Sequence, residues 1–165
     1  MKKPDFLDNL KKEGKLELVD PSDEIALSYE KKSQDCLQAA KLIFKAALYE
    51  NAVGEAYYSI YNSIQSLFFK CGIKCESHGA AAVLLKRIFG LPGIYKAFSD
   101  AKEERIDKQY YVTPRQNNPV TDKSAQDLLS TADRFILEIS AYKSSLKLTQ
   151  IEEIRKRFRK EIGQG

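Results

Sequence analysis

The chain has 165 residues, 43% of them hydrophobic and 30% charged, with a formal net charge of +4. That size suits one globular domain with its own core, and a second full domain is not expected. The sequence pI of about 8.8 permits contact with phosphate but does not by itself identify a nucleic-acid binder. No run of about 18 apolar residues occurs, and MKKPDFLDNLKKEGKL lacks the apolar stretch that follows the basic start of a secretion signal. A cytoplasmic protein with no membrane contact is therefore expected. Cys36, Cys71 and Cys75 are an odd number of thiols, which argues for reduced cysteines rather than a disulfide framework. Cys71, Cys75 and the only histidine, His78, fall close together, but not at zinc-site spacing and with no fourth ligand following. Neither a metal nor a cofactor is expected.

In chain order, residues 1–20 read as an N-terminal segment with a short helix. Residues 21–147 read as a helical bundle and 148–165 as a basic amphipathic helix. The run Pro21-Ser22-Asp23-Glu24 starts a helix whose apolar stripe (Tyr29, Cys36, Ala39, Ala40, Ile43, Ala46, Ala47) ends near residue 48. Asn51 is expected to cap the next helix, over about 52–71, with Gly72 as its stop. Val53, Ala56, Tyr57, Ile60, Ile64, Leu67 and Phe68 give that helix one broad apolar face and mark it as the central one. A third helix is expected over 78–89, broken by Gly90-Leu91-Pro92-Gly93. The fourth leads into KEERIDKQYYV, and Thr121 or Asp122 caps the fifth. No strand pattern competes, so the predicted fold is all-α, an antiparallel up-and-down bundle of four to five main helices. In the last segment Leu148, Ile151, Ile154, Phe158 and Ile162 alternate with five basic residues. It reads either as a final helix packed on its bundle or on a second copy, or as a nucleic-acid or partner contact.

Two polar groupings stand out. Ile94, Phe98 and Ala101 recur at helical spacing, and at about 100° per residue Arg105 falls in the stripe they define, with Gln109 beside it. A guanidinium cannot shed its charge, so Arg105 should border a cleft, a partner or an acidic group. Asp107 shares a side with Tyr110 and Tyr111, so one helical turn offers a cation, a carboxylate, an amide and two phenols. Such a set can clamp a phosphate, stack on a base and hold a sugar hydroxyl, or form a purely structural network at a helix end. On the central helix, Tyr58, Asn62, Gln65 and Phe69 form a second stripe opposite the core face, suited to a pocket wall, to a self-association surface, or to hydrogen bonds with neighbouring helices. A phosphate-binding glycine loop, a Glu-x-x-His pair and a nucleophile with a histidine base are all missing.

The combination of AALYENAVGEAYYSIYNSIQSLFFKCGIKCESHGAAAVLL with KEERIDKQYYV resembles the HEPN family of prokaryotic helical-bundle proteins, over about residues 15–145. In nuclease members an arginine is followed about a turn or more later by a histidine. The two line a homodimer cleft and cleave RNA without metal, often as toxins beside a minimal nucleotidyltransferase antitoxin. By position Arg105 matches that arginine, and Tyr110 stands where the shortest motif has its histidine. A phenol with pKa near 10 is a poor proton acceptor at neutral pH, where a histidine near 6.5 serves as acid and base. The resemblance therefore implies a homodimeric nucleotide- or RNA-binding component of a toxin–antitoxin or nucleotidyltransferase-associated system. Arg105, Asp107, Gln109, Tyr110, Tyr111, Tyr58 and Asn62 would bind. The alternatives are a metal-independent ribonuclease, using Arg105 with Tyr110 or with His78 from another helix, and a structural interaction module. Tyr110 and Tyr111 also lie near the tyrosine that some family toxins have modified by nucleotidyl transfer.

Overall fold

The computed structural model describes residues 6–109 and 119–163, with the side chains of 104 and 106–109 outside the description. Its elements are α1 (Phe6–Lys12), β1 (Leu16–Leu18), α2 (Asp23–Lys45), α3 (Tyr49–Lys70), β2 (Ile73–Cys75), α4 (His78–Arg87), α5 (Pro92–Gln109), α6 (Asp122–Ser145) and α7 (Leu148–Glu161). The predicted all-α bundle is the observed architecture. Among the described residues no helix is long and apolar enough to cross a membrane.

Helix α3 is the centre of the molecule because its buried residues run around its whole circumference rather than along one stripe. Val53, Ala56, Tyr57, Ile60, Ile64, Leu67 and Phe68 are fully buried, and so are polar Asn62, Ser63, Gln65 and Ser66. Helix α2 runs antiparallel along one side, close enough for Ser33 Oγ to donate to the Ser59 carbonyl at 2.6 Å. Small side chains at this contact let the two backbones approach. On the other sides lie α5 and α6, with Phe98 and Phe135 in the shared core. Lys143 of α6 ties three helices together, donating to Glu30 Oε2 at 2.6 Å and Ser66 Oγ at 2.8 Å.

Three local expectations are corrected. Asn51 does not cap α3. The helix begins at Tyr49 with Leu48 at its N-cap, after a tight turn in which Ala47 adopts φ 60°, so Asn51 is already helical. Pro92, expected inside a break, opens α5, since a proline loses nothing in the first turn of a helix. Finally, LEL and IKC pair as a two-stranded antiparallel ribbon, Leu16 opposite Cys75 and Leu18 opposite Ile73. Three residues are too few for an alternating pattern to register. Elsewhere the signals hold: Ser22 caps α2, and Thr121 caps α6 in a reciprocal box with Ser124.

The ribbon, the end of α3 and α7 meet at Gly72. This residue has φ +69°, in the left-handed region where a side chain is strained, and a Cβ there would lie 2.0 Å from Arg155 Nη1 and 2.4 Å from the Val19 carbonyl oxygen. Arg155, only 8% exposed, donates through Nη1 to the carbonyls of Val19 (2.7 Å), Cys71 (2.9 Å) and Gly72 (3.2 Å). Two of these lie at and just past the C-terminal end of α3, where a cation also complements the helix dipole; the Gly72 carbonyl accepts from the Val19 amide as well, at 2.8 Å. The apolar face of α7 (Ile151, Ile154, Phe158, Ile162) is buried in the same core, so this helix packs on its own bundle.

Gly72→Ala is expected to cost about 3 kcal/mol or more, adding positive-φ strain to the displacement of a pinned guanidinium. Arg155→Met is expected to cost about 2–4 kcal/mol by orphaning buried carbonyls. Chemical denaturation measures both, and a Gly72→Ala variant within about 0.5 kcal/mol of wild type, the scatter of ordinary surface substitutions, would refute the account of the junction.

Candidate functional site

A cluster of aromatic rings, one histidine and one arginine lies where α3, α4 and α5 meet. Each member has an identifiable reason for its position. Tyr57 and Tyr61 are one turn apart on α3, and Phe98 faces them from α5. His78 is the first residue of α4, fixed by the N-cap Ser77, whose hydroxyl accepts from the Ala80 amide at 3.2 Å. The backbone leading to it is held by Gln65 Nε2 and the Tyr61 hydroxyl, which donate to the Cys75 carbonyl at 2.9 and 3.4 Å.

The His78 ring stacks nearly parallel on Tyr61, centroids 3.9 Å apart, and the Tyr57 ring lies 5.5 Å from it, centroid to centroid, at an interplanar angle of 12°. Tyr57, fully buried, also stacks on Phe98 at 5.8 Å, and its hydroxyl is hydrogen-bonded to His78 Nδ1. Arg105 completes the group, its guanidinium carbon 4.9 Å from the Tyr57 ring centre and 4.7 Å from that of Tyr58. Arg105 Nη2 donates to the Tyr58 hydroxyl at 2.9 Å. Contacts with two rings and the Tyr58 hydroxyl hold the guanidinium in place while the residue stays partly exposed, an arrangement suited to an incoming anion.

Burial, assisted by the positive charges of Arg105 and Lys102, lowers His78 from its ordinary value to about 4, so the imidazole is neutral at pH 7. Burial pushes the phenols of Tyr57 and Tyr61 well above their ordinary value, partly opposed at Tyr57 by Arg105. Both hydroxyls therefore keep their protons across the physiological range. The site at neutral pH consists of a fixed cation, a neutral imidazole and phenolic hydroxyls. It offers a place for negative charge without a strong base.

The expected residues divide three ways. Arg105 follows the phase of buried Ile94, Phe98 and Ala101 and points inward as its spacing predicts. His78 joins it from another helix, and Tyr58, 39% exposed, forms the solvent-facing edge. Asn62 does not line this cleft. It is 4% exposed and its amide faces Cys36 Sγ of α2 at 3.7 Å. Phe69 likewise stacks on Tyr29 of α2, at 5.4 Å. The polar stripe expected to support self-association is thus covered, because α2 returns antiparallel over it and leaves only Tyr58 outside. Tyr110 and Tyr111 lie outside the described residues, as do the side chains of Asp107 and Gln109. Tyr57, read from the sequence as a core residue, and Tyr61, not singled out, are both members of the cluster. The available signal was the triad of phenols in YYSIY, two of them one helical turn apart.

Cys71 and Cys75 are buried, with thiols pushed up to about 12 and about 11 mainly by burial, so neither is a reactive thiolate. Among the described residues no group of three or more His, Cys, Asp or Glu is arranged to hold a metal ion.

An all-α bundle with an arginine, aromatic and histidine cluster between its central helix and the next two defines the class of protein. Residues 28–142 match the HEPN domain, and the chain belongs to that family. It is also similar to "Putative toxin MJ0605" of Methanocaldococcus jannaschii, with 29% identity over 108 residues, 63% of this chain and 78% of the relative.

Because His78 is the only histidine, its ring protons give one unambiguous NMR signal. The expected titration midpoint is near pH 4. A folded pKa below the unfolded value near 6.5 means the unfolded chain binds the extra proton first. The contribution to stability is therefore complete above about pH 6.5 and lost as pH falls toward 4. His78→Gln should remove that part of the slope in thermal melts, whereas a wild-type midpoint near 6.5 would contradict the buried stack.

Proposed function

We propose that this chain is a toxin-type HEPN protein that binds nucleotide or RNA phosphate at Arg105, acting beside an antitoxin partner of the minimal nucleotidyltransferase kind. One observation carries the reading. Arg105 stands where the family motif has its arginine, with its guanidinium against the rings of Tyr57 and Tyr58 and the residue partly exposed. A guanidinium can offer two parallel N–H donors to a phosphate, a geometry lysine cannot reproduce. Tyr58 supplies an exposed ring on which a base can stack. Membership of the HEPN family and the relative named as a toxin support the biological setting.

A second reading, metal-independent RNA cleavage, is favoured by the adjacency of His78 to Arg105 through Tyr57. In that reaction the 2′-oxygen loses its proton, attacks phosphorus and displaces the 5′-oxygen, which takes up a proton. Arg105 would stabilise the charge on the phosphoryl oxygens, and His78 would exchange the protons in place of a motif histidine. Its lowered pKa makes it a weak base and scarcely an acid at pH 7, so binding with slow or no cleavage is the better-supported outcome.

Arg105→Lys should weaken binding of a short single-stranded RNA by about 10- to 100-fold, the range for losing a charge-assisted bidentate contact. Circular dichroism would check that helicity is kept. Affinity equal to wild type with the fold intact would remove the phosphate site. In the same preparations, incubation with RNA in excess chelator tests the second reading. Robust cleavage to 2′,3′-cyclic phosphate ends, lost in both Arg105→Lys and His78→Gln, would promote it over binding alone.

A further inference from the structure

The outward side of α7 carries Lys156, Arg157 and Lys160, all exposed and in line along the helix. It runs beside the C-terminal end of α4. Arg157 Nη1 donates to the Ile88 carbonyl at 3.4 Å, and Arg87 Nη1 meets Glu161 Oε1 at 2.7 Å. Between the two helices an open groove of about 490 Å³ is lined by Arg87, Ile88, Arg157, Lys160 and Glu161. Glu153, 3.5 Å from Arg157, stands at its rim. The groove thus brings three cations, Arg87, Arg157 and Lys160, against Glu161 and Glu153. Lys156 stands one turn before Lys160 on the exposed side of α7, itself one turn after exposed Glu152. Exposed ion pairs of this kind contribute about 0–1 kcal/mol each, so stability does not account for gathering the cations here.

The geometry points to the α4–α7 groove as a second phosphate-backbone contact for single-stranded RNA. The inference rests on the reading that Arg105 engages RNA phosphate, and it adds a track that α7 contributes from beyond the family match at residues 28–142. Three observations select this occupant. The apolar face of α7 is already buried in the core and of its large apolar residues only Leu148 is exposed, so the helix has no hydrophobic side to enter a membrane. The groove floor offers only Ile88, itself 2% exposed, so it lacks the apolar or aromatic anchor of a protein interface. A polyanionic backbone, by contrast, needs charge alone and can displace an exposed carboxylate from an arginine.

The test uses fluorescence anisotropy with a labelled single-stranded RNA longer than about 16 nucleotides, so that it can reach beyond one binding module. The variant Lys156→Gln/Lys160→Gln removes two charges and leaves the bond from Arg157 to Ile88 in place. It should flatten the slope of log affinity against log salt by about 1.4, from about 0.7 per phosphate contact on a single strand, and leave binding of a mononucleotide unchanged. An unchanged slope with helicity intact would overturn the groove. So would loss, in that variant, of binding to phosphatidylserine vesicles but not to RNA. The two sites fail separately: if Arg105→Lys binds like wild type while the lysine variant still loses slope, the Arg105 reading is wrong and the groove stands.

Discussion

The reversal at Gly72 is the constraint on which the site depends. Helix α3 climbs about 1.5 Å per residue, whereas the extended chain after it descends at about 3.3 Å per residue. Residues 73–77 therefore travel back over roughly ten residues of helix, about 15 Å, and deliver His78 to the level of Tyr61 and Tyr57. The bonds from Gln65 and Tyr61 to the Cys75 carbonyl mark the path. Were the helix to continue one turn further, or the return to be helical, the histidine would miss the phenols. The left-handed backbone of Gly72 makes the reversal, and Arg155 holds its carbonyls.

The cluster that results is built from rings more than from charges. A guanidinium stacked on phenols stays charged and oriented, and the phenols stay protonated because the packing that holds them also dries them. The same packing removes the proton affinity from His78. Binding and proton transfer thus make opposite demands on one pocket. Drier walls strengthen the grip of Arg105 on an anion, yet they weaken the imidazole that would have to take a proton from a substrate hydroxyl.

What the sequence made legible is what lies on one element at a time. The inward turn of Arg105 follows from the phase of Ile94, Phe98 and Ala101, and the Thr121 cap follows from its position before an apolar period. What stayed hidden joins elements far apart in the chain. Nothing local announces that Asn62 meets Cys36, that Tyr57 meets His78, or that Arg155 meets carbonyls at 19, 71 and 72. Arg155 counts in the sequence only as one of the five basic residues of the last helix, because the carbonyls that hold it lie far away in the chain. The same limit explains the polar stripe of α3. Spacing groups Tyr58, Asn62, Gln65 and Phe69, and only the path of α2 decides which of them water can reach.

The burial of Arg155 also bears on how this protein is divided. The stretch that matches the family stops at residue 142, whereas the cation that closes the end of the central helix comes thirteen residues later, and one of its acceptors, Val19, precedes the match. The boundary of likeness is therefore not a boundary of folding autonomy. Cutting the chain at the edges of the match would leave α3 ending on bare carbonyls and expose the core covered by Ile151, Ile154 and Phe158. Family kinship here resides in the middle of the chain, while the two flanks supply the clasp that lets that middle exist as a solid body.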